Sequence, residues 1–161
     1  PSSTVRLLDV GCSSGAFLQS ALRLGFTAEG VEPSADAAQT ARAAGLKVFT
    51  GYLEQAQFPD ASFDAITLIE IVEHLRDARS LLQECARILK PGGRLIVLDL
   101  LLHTFEEARE MYADRWLGFS ESDLATMMEK SGFVQIETVV ADRESEAPKF
   151  QTLLGIGTRP A

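Results

Sequence analysis

VRLLDVGCSSG, residues 5–15, is the stretch on which the fold turns. Val5, Leu7, Leu8 and Val10 form a short, nearly continuous apolar run, as expected of a strand buried on both faces of a parallel sheet. Gly11 ends the run. From Gly15 the period changes: across residues 15–24, Phe17, Leu18, Ala21 and Leu22 share one helical face, and Gly25 stops the helix. A strand that passes through a glycine turn directly into a helix is half of a crossover unit.

Outward from this stretch the alternation repeats. Residues 27–32 read as a second strand, and Ser34 caps a helix that runs to residue 44 and closes at Gly45. Residues 46–50 and 63–69 are the third and fourth strands, 76–89 a long amphipathic helix, and 93–102 the fifth strand. Residues 106–114 and 121–131 have helical spacing, with Ser120 placed to cap the latter. The chain closes with strands at 133–141 and 150–158, and the polar stretch 142–149 between them is too short for a crossover helix. Five right-handed strand–helix repeats followed by a hairpin predict an α/β, Rossmann-like, doubly wound seven-stranded sheet. Five strands are parallel, and the C-terminal hairpin is antiparallel. Ligands of such sheets bind beyond the carboxyl ends of the strands, where strand order reverses. Here those are the loops after the first, second and fourth strands.

Composition narrows the function. The chain has 161 residues, 46% of them hydrophobic and 24% charged, which suits one domain with one core. A net charge of −8 disfavours a nucleic-acid partner, because gripping a phosphate backbone needs a Lys/Arg surface. No apolar run approaches the roughly 18–20 residues that span a bilayer, and no secretory leader pattern opens the chain. Cys12 and Cys85 have no metal or disulfide spacing, so a reduced, cytoplasmic setting is expected. Apolar, strand-like sequence already begins at Val5, so the chain reads as a piece of a longer protein, and whether a cap or regulatory domain precedes Pro1 is not legible.

The first turn, D-x-G-x-S-x-G over residues 9–15, lets a ligand approach the backbone and offers it the free N–H groups of a helix start. Glu32 closes the second strand about 20 residues on, where an acid hydrogen-bonds ribose hydroxyls in nucleotide-binding sheets. Two details separate this loop from a dinucleotide fingerprint: Ser13 stands at the middle glycine, and Asp9 precedes the first. An acid there suits a ligand with cationic amino and sulfonium groups better than a pyrophosphate.

These features resemble the class I S-adenosylmethionine (SAM) dependent methyltransferases. VRLLDVGCSSG is similar to their first motif, GVEPS (30–34) to their ribose motif and FPDASFDAI (58–66) to their fourth-strand motif; RILKPGGRLIVLD (87–99) resembles their helix–PGG–strand signature. Four motifs in register over nearly the whole chain are far more specific than one. The resemblance implies a methyltransferase domain over residues 1–161 with SAM as cofactor. It implies Asp9 near the methionine amino end, Gly11, Cys12, Ser13 and Gly15 around methionine and ribose, and Glu32 with Pro33 at the ribose. It sets Tyr52, Leu53 and Glu54 near the adenine, and Ile69 and Glu70 at the fourth-strand exit. Tyr52 departs from the pattern, standing where an aspartate is often seen.

For the acceptor the expectation is a small molecule. LIEIVEHL (68–75) lacks the Asn/Asp-Pro-Pro-aromatic signature of DNA amine methylation. Glu70, Glu73 and His74 lie at i, i+3 and i+4 and resemble the E-x-x-E-H run with which quinone-biosynthesis O-methyltransferases hold a divalent ion. A helix start whose glutamates complement the macrodipole is the favoured reading of the same residues, with no metal. His74 and His103 are the candidate bases should an acceptor hydroxyl lose a proton. Two cysteines are too few to hold arsenic. Residues 99–103, 114–119 and 148–151 resemble methyltransferase domains fused behind ArsR-type winged-helix repressors, with His103 and Trp116 facing the acceptor. Remaining alternatives are a SAM-sensing module without turnover and, disfavoured by Ser13 and the PGG segment, an NAD(P) enzyme. Neither acceptor identity nor oligomeric state is legible.

Overall fold

A computed structural model describes residues 4–75, 77–107, 116–145 and 149–161. In chain order it contains β1 (Arg6–Val10), α1 (Ala16–Arg23), β2 (Thr27–Glu32), α2 (Ala35–Ala43), β3 (Val48–Thr50), β4 (Phe63–Ile69), α3 (Ala78–Ile88), β5 (Leu89–Leu100), α4 (Glu121–Lys130), β6 (Val134–Arg143) and β7 (Gln151–Thr158). One-turn 3₁₀ helices follow β3 (Leu53–Ala56) and β4 (Val72–His74). The helix expected over residues 106–114 falls, from residue 108 on, outside the described residues.

The strands form one seven-stranded sheet in the order β3-β2-β1-β4-β5-β7-β6. Pairings from β3 to β5 are parallel, and those of β7 with β5 and β6 are antiparallel. The order reverses between β1 and β4. The predicted architecture is therefore the one formed, with β7 inserted between β5 and β6.

Burial follows the two-residue period of the strands. Leu7, Ala28 and Val48 pack with Leu18 and Ala21 of α1 and Ala38 and Ala41 of α2. Their neighbours Leu8, Val10 and Val31 pack with Leu82, Cys85 and Ile88 of α3 and Leu124 and Met128 of α4. The sheet thus separates two apolar cores. Each fully buried leucine stabilises the fold by about 1.5–3 kcal/mol. Caps set the helix starts: Ser120 Oγ accepts the Asp123 N–H at 3.1 Å, and Asp77 Oδ1 accepts that of Arg79 at 2.9 Å.

The fifth strand departs from its expected start at Gly93. Pairing resumes as α3 ends, with Leu89 opposite Phe63, and then jumps so that Arg94 lies opposite Ala65. The Pro91–Gly92–Gly93 turn is extruded between these pairs and fastened to the far end of β7: the Gly92 N–H donates to Arg159 O and the Arg159 N–H to Gly93 O, at 3.0 and 2.9 Å. The PGG signature is a bulge that lets a helix re-enter the sheet without a longer loop.

Gly30 is where the first turn and the sheet meet. A Cβ there would lie 2.5 Å from Cys12 Sγ and 2.8 Å from Leu18 Cδ1. Cys12 and α1 therefore sit on the bare backbone of β2. We expect Gly30→Val to lower stability by about 1–3 kcal/mol through overpacking, read as a lower urea midpoint at unchanged slope. An unshifted midpoint would contradict this packing.

Candidate active site

Four adjacent strands, β3, β2, β1 and β4, bring their carboxyl ends together. This gathers the loop residues Asp9, Gly11, Cys12, Ser13 and Gly15 with Glu32, Pro33, Ile69 and Glu70, residues far apart in sequence. Glu32 ties the arrangement together. One carboxylate oxygen accepts the Ser13 N–H at 2.8 Å, and the other accepts that of Ser34 at 2.7 Å. A single buried acid thus pins the loop after β1 to the loop after β2. The carboxylate retains acceptor positions beyond these two bonds, since each oxygen has two lone pairs.

The turn itself is strained into place. Gly11 and Gly15 have φ of 76° and 88°, and Ser13 takes 49° without being glycine. The Gly11 and Cys12 N–H groups both donate to Val31 O, at 2.8 and 3.1 Å. A Cβ on Gly11 would fall 2.2 Å from Ile71 Cδ1, so the space beside this glycine is filled by the chain's own side chain. Cys12 turns inward to Gly30, and burial, followed by the charges of Asp9 and Glu32, pushes its thiol up to about 12. It is an inert packing group.

Asp9 is buried, and its Oδ1 accepts the Thr67 hydroxyl at 2.6 Å across the β1–β4 pair. Burial raises its pKa from 3.8 to about 6; the Thr67 bond opposes the shift and the Glu32 charge adds to it. Past β3 the expected adenine residues diverge. Tyr52 is 65% exposed and Glu54 is also exposed, whereas Leu53 is buried in the core beneath them. Of the three, only Tyr52 and Glu54 reach the surface.

At the exit of β4, Glu70 has a left-handed φ of 53° and its N–H donates to Leu98 O at 2.8 Å. Glu73 and His74 lie on the following 3₁₀ turn, where the expected α-helical i, i+3, i+4 face does not form. Glu73 points inward, and its carboxyl hydrogen-bonds that of Asp99, which is 1% exposed on β5. Burial, followed by the Glu73 carboxyl, pushes the Asp99 pKa upward. Asp99 also accepts the N–H groups of Val72, Glu73 and Leu100. This buried acid seats the whole turn after β4. A divalent ion needs ionised oxygen ligands that converge. Here Glu73 is committed to Asp99 and Glu70 is exposed, and among the described residues no three His, Cys, Asp or Glu side chains form a metal-binding group.

A cavity of about 380 Å³ opens beside this turn, walled by Glu70, Glu73 and His74 on one side and by Glu144, Phe150 and Thr152 of the terminal hairpin on the other. His103 stands behind Phe150, ring centroids 4.7 Å apart. Trp116 lies elsewhere: it lines a separate cavity of about 580 Å³ between α3 and α4, with its indole N–H donating to Leu75 O at 2.9 Å. Among the described residues, Trp116 lines this cavity and His103 lines neither of the two. Sequence reasoning missed Thr67, Ile71, Asp99 and Glu144. For Thr67 and Asp99 the available signal was a polar residue inside an otherwise apolar strand.

Comparison with known proteins shows the family. A sequence profile described as "Methyltransferase domain" matches residues 8–97. The chain belongs to that family and is a class I SAM-dependent methyltransferase domain. It is 37% identical over 102 residues to a ubiquinone biosynthesis O-methyltransferase of Xanthomonas oryzae pv. oryzae, a match covering 59% of this chain and 43% of that protein. The match to the corresponding Rhizobium leguminosarum bv. trifolii enzyme runs over 99% of this chain at 29% identity, and covers 62% of that enzyme. The chain therefore spans about half the length of the curated relatives it matches. Among solved structures, a Thermotoga maritima SAM-dependent methyltransferase described as a possible histamine N-methyltransferase superposes with a TM-score of 0.78 at 26% identity, over 96% of this chain and 82% of that one. A Haemonchus contortus phosphoethanolamine N-methyltransferase in complex with SAM gives 0.81 at 18% identity, over all of this chain and 50% of the other, and shares the fold.

The raised pKa of Asp9 has a measurable consequence for the unliganded domain. The folded state holds the Asp9 proton more tightly than the unfolded state, so Asp9's contribution to stability falls as pH rises from about 4 to about 6. Relative to Asp9→Asn, the wild type should lose about 2–3 kcal/mol over that window in urea titrations at each pH. Parallel stability–pH curves for the two proteins would show that Asp9 ionises normally.

Proposed function

We propose that this domain holds SAM across the β1, β2 and β4 loops and methylates a small-molecule acceptor bound beside the turn after β4. The observation that carries the reading is the Glu32 clamp: it fixes the glycine turn and the end of β2 in one cleft and leaves carboxylate acceptor positions for ribose hydroxyls. Asp9 fits the cationic amino end. Tyr52 and Glu54 border the adenine, with Leu53 as the apolar layer beneath. Ile69 and Glu70 lead from the cofactor to the acceptor. SAM supplies the activated methyl group, which passes from the sulfonium to an acceptor electron pair and leaves S-adenosylhomocysteine. The chain's own work is binding, alignment and exclusion of water. Where the acceptor is a hydroxyl, His74 on the cavity wall is the candidate to take its proton, while His103 stands behind the aromatic wall.

The ubiquinone-biosynthesis relatives favour a second reading, O-methylation of a quinol or catechol. Its metal-assisted form is disfavoured by the bond between Glu73 and Asp99. The acidic composition argues against a nucleic-acid acceptor, and no helix among the described residues is long and apolar enough to cross a membrane.

SAM and S-adenosylhomocysteine, but not NAD, should raise the melting temperature, since a ligand at 100 times its Kd stabilises by about 2.7 kcal/mol. Glu32→Ala should weaken SAM binding about tenfold to a hundredfold by calorimetry, the worth of a charge-assisted hydrogen bond. SAM affinity should rise with pH through about 6 as Asp9 ionises, and Thr67→Val should move that midpoint upward. EDTA should leave SAM affinity unchanged; loss that Mg²⁺ restores would put the metal-assisted reading first. Unaltered affinity in Glu32→Ala would mean that the ribose is held elsewhere.

A further inference from the structure

The cavity beside the turn after β4 has a composition that selects a ligand. Three elements distant in sequence build it, the β4 exit, Leu100 of β5 and the β6–β7 hairpin. Its wall is formed by Glu70, Glu73, Glu144, His74 and Phe150, with the Glu73 carboxyl turned inward to Asp99, and among the described residues no lysine or arginine lines it. Glu144 is fixed on that wall. Its N–H donates to Phe150 O at 2.9 Å, and its Oε2 accepts the Phe150 N–H at 3.2 Å, so carboxylate and ring are carried as one unit across the hairpin. Phe150 is braced from behind by the rings of His103 and Phe105, at 4.7 and 5.8 Å. An aromatic face beside carboxylates attracts an organic cation through both its quadrupole and its charge, and repels a carboxylate or phosphate. The volume, about 380 Å³, admits a single-ring molecule and no polymer.

We infer that this cavity is the acceptor subsite and that it takes a compact aromatic molecule bearing a protonated amine, with Glu144 and Phe150 of the hairpin as the specificity-determining residues. The inference rests on the methyl-transfer reading above and names the class of acceptor for that same site. Charge at the amine sets recognition. Whichever heteroatom takes the methyl, the ammonium group lies toward Glu144 and Glu70 and the ring against Phe150.

The test separates this inference from the cofactor assignment by measuring binding without turnover. The domain saturated with S-adenosylhomocysteine is titrated calorimetrically with tyramine and with 4-hydroxyphenylacetate, which share a ring and differ in charge. Tyramine should bind at least about tenfold tighter, the effect of one favourable charged contact replaced by a repulsive one. Glu144→Lys should abolish or invert that preference and Phe150→Ala should weaken both ligands, each with unchanged affinity for S-adenosylhomocysteine. Equal or tighter binding of the acid, no binding of tyramine, or a preference untouched by Glu144→Lys would each overturn the inference and leave the methyltransferase reading standing. Failure of S-adenosylhomocysteine itself to bind would sink both.

Discussion

One carboxylate, that of Glu32, bridges the N–H groups of Ser13 and Ser34 and thereby locks together the loops after β1 and β2. The constraint reaches outward. Ser13 can sit with its N–H toward Glu32 only because its φ is left-handed, and the turn closes only because Gly11 and Gly15 are left-handed on either side. The turn in turn seats Cys12 against the bare backbone of Gly30, which sets how closely α1 approaches β2. A cleft built this way is pre-organised: its N–H groups and carboxylate are held in place before any ligand arrives, so less ordering is left to pay for on binding.

The same edge of the sheet concentrates an electrostatic asymmetry. At the amino ends of the strands, acids are paired with bases: Glu29 with Arg6 and Lys47, and Asp64 with Lys90. At the carboxyl ends the buried acids have different partners. Asp9 is held by a hydroxyl, Glu32 by two backbone N–H groups, and Asp99 by three backbone N–H groups and a second carboxyl. Neutralising those carboxylates with lysines would make the fold easier to stabilise, because burial alone penalises their charge. Holding them with neutral donors instead leaves a negative field at the edge where the sheet binds ligands. The pattern suits a cofactor that carries cationic groups, and it is costly for a protein that binds a pyrophosphate there.

Much of this was legible in the sequence, for reasons that residue patterns explain. Alternating periods at residues 5–50 required a parallel sheet, and the short link at 142–149 required a hairpin. Whether the last strand lies inside or outside its partner was not legible, because a hairpin fixes antiparallel pairing and says nothing about which strand joins β5. The start of β5 was missed because Pro91 and the two following glycines read as a break, whereas they form a bulge inside a strand already begun at Leu89. At the site, the loop glycines and Glu32 were legible because spacing along one chain carries them. Thr67, Asp99 and Ile71 were not, because their roles exist only through neighbours on other strands. Asp99 illustrates this well: in the sequence it interrupts an apolar run, and in the fold it seats the turn after β4. Helical spacing also misread Glu70, Glu73 and His74, since the left-handed residue at 70 and the tight 3₁₀ turn send Glu70 and Glu73 in different directions.

The extent of the family match has a physical explanation. The profile covers residues 8–97, from β1 into β5, and the Glu32 clamp, Asp9, Thr67 and the β4 exit all fall within it. Glu144, Phe150 and Thr152, which form the other wall of the proposed acceptor cavity, fall beyond it. A cofactor common to many enzymes demands the same turn, the same acid and the same strand order wherever it is used, so those residues can be shared across proteins with unrelated acceptors. An acceptor demands only a cavity of suitable size and charge beside that cofactor. The β6–β7 hairpin supplies this with side chains at its open end, where changes leave the strand pairing beneath them intact. The resemblance to known methyltransferases therefore speaks for how the cofactor is handled. The hairpin side chains of the proposed acceptor cavity lie outside that profile match, where an acceptor-specific wall is free to differ.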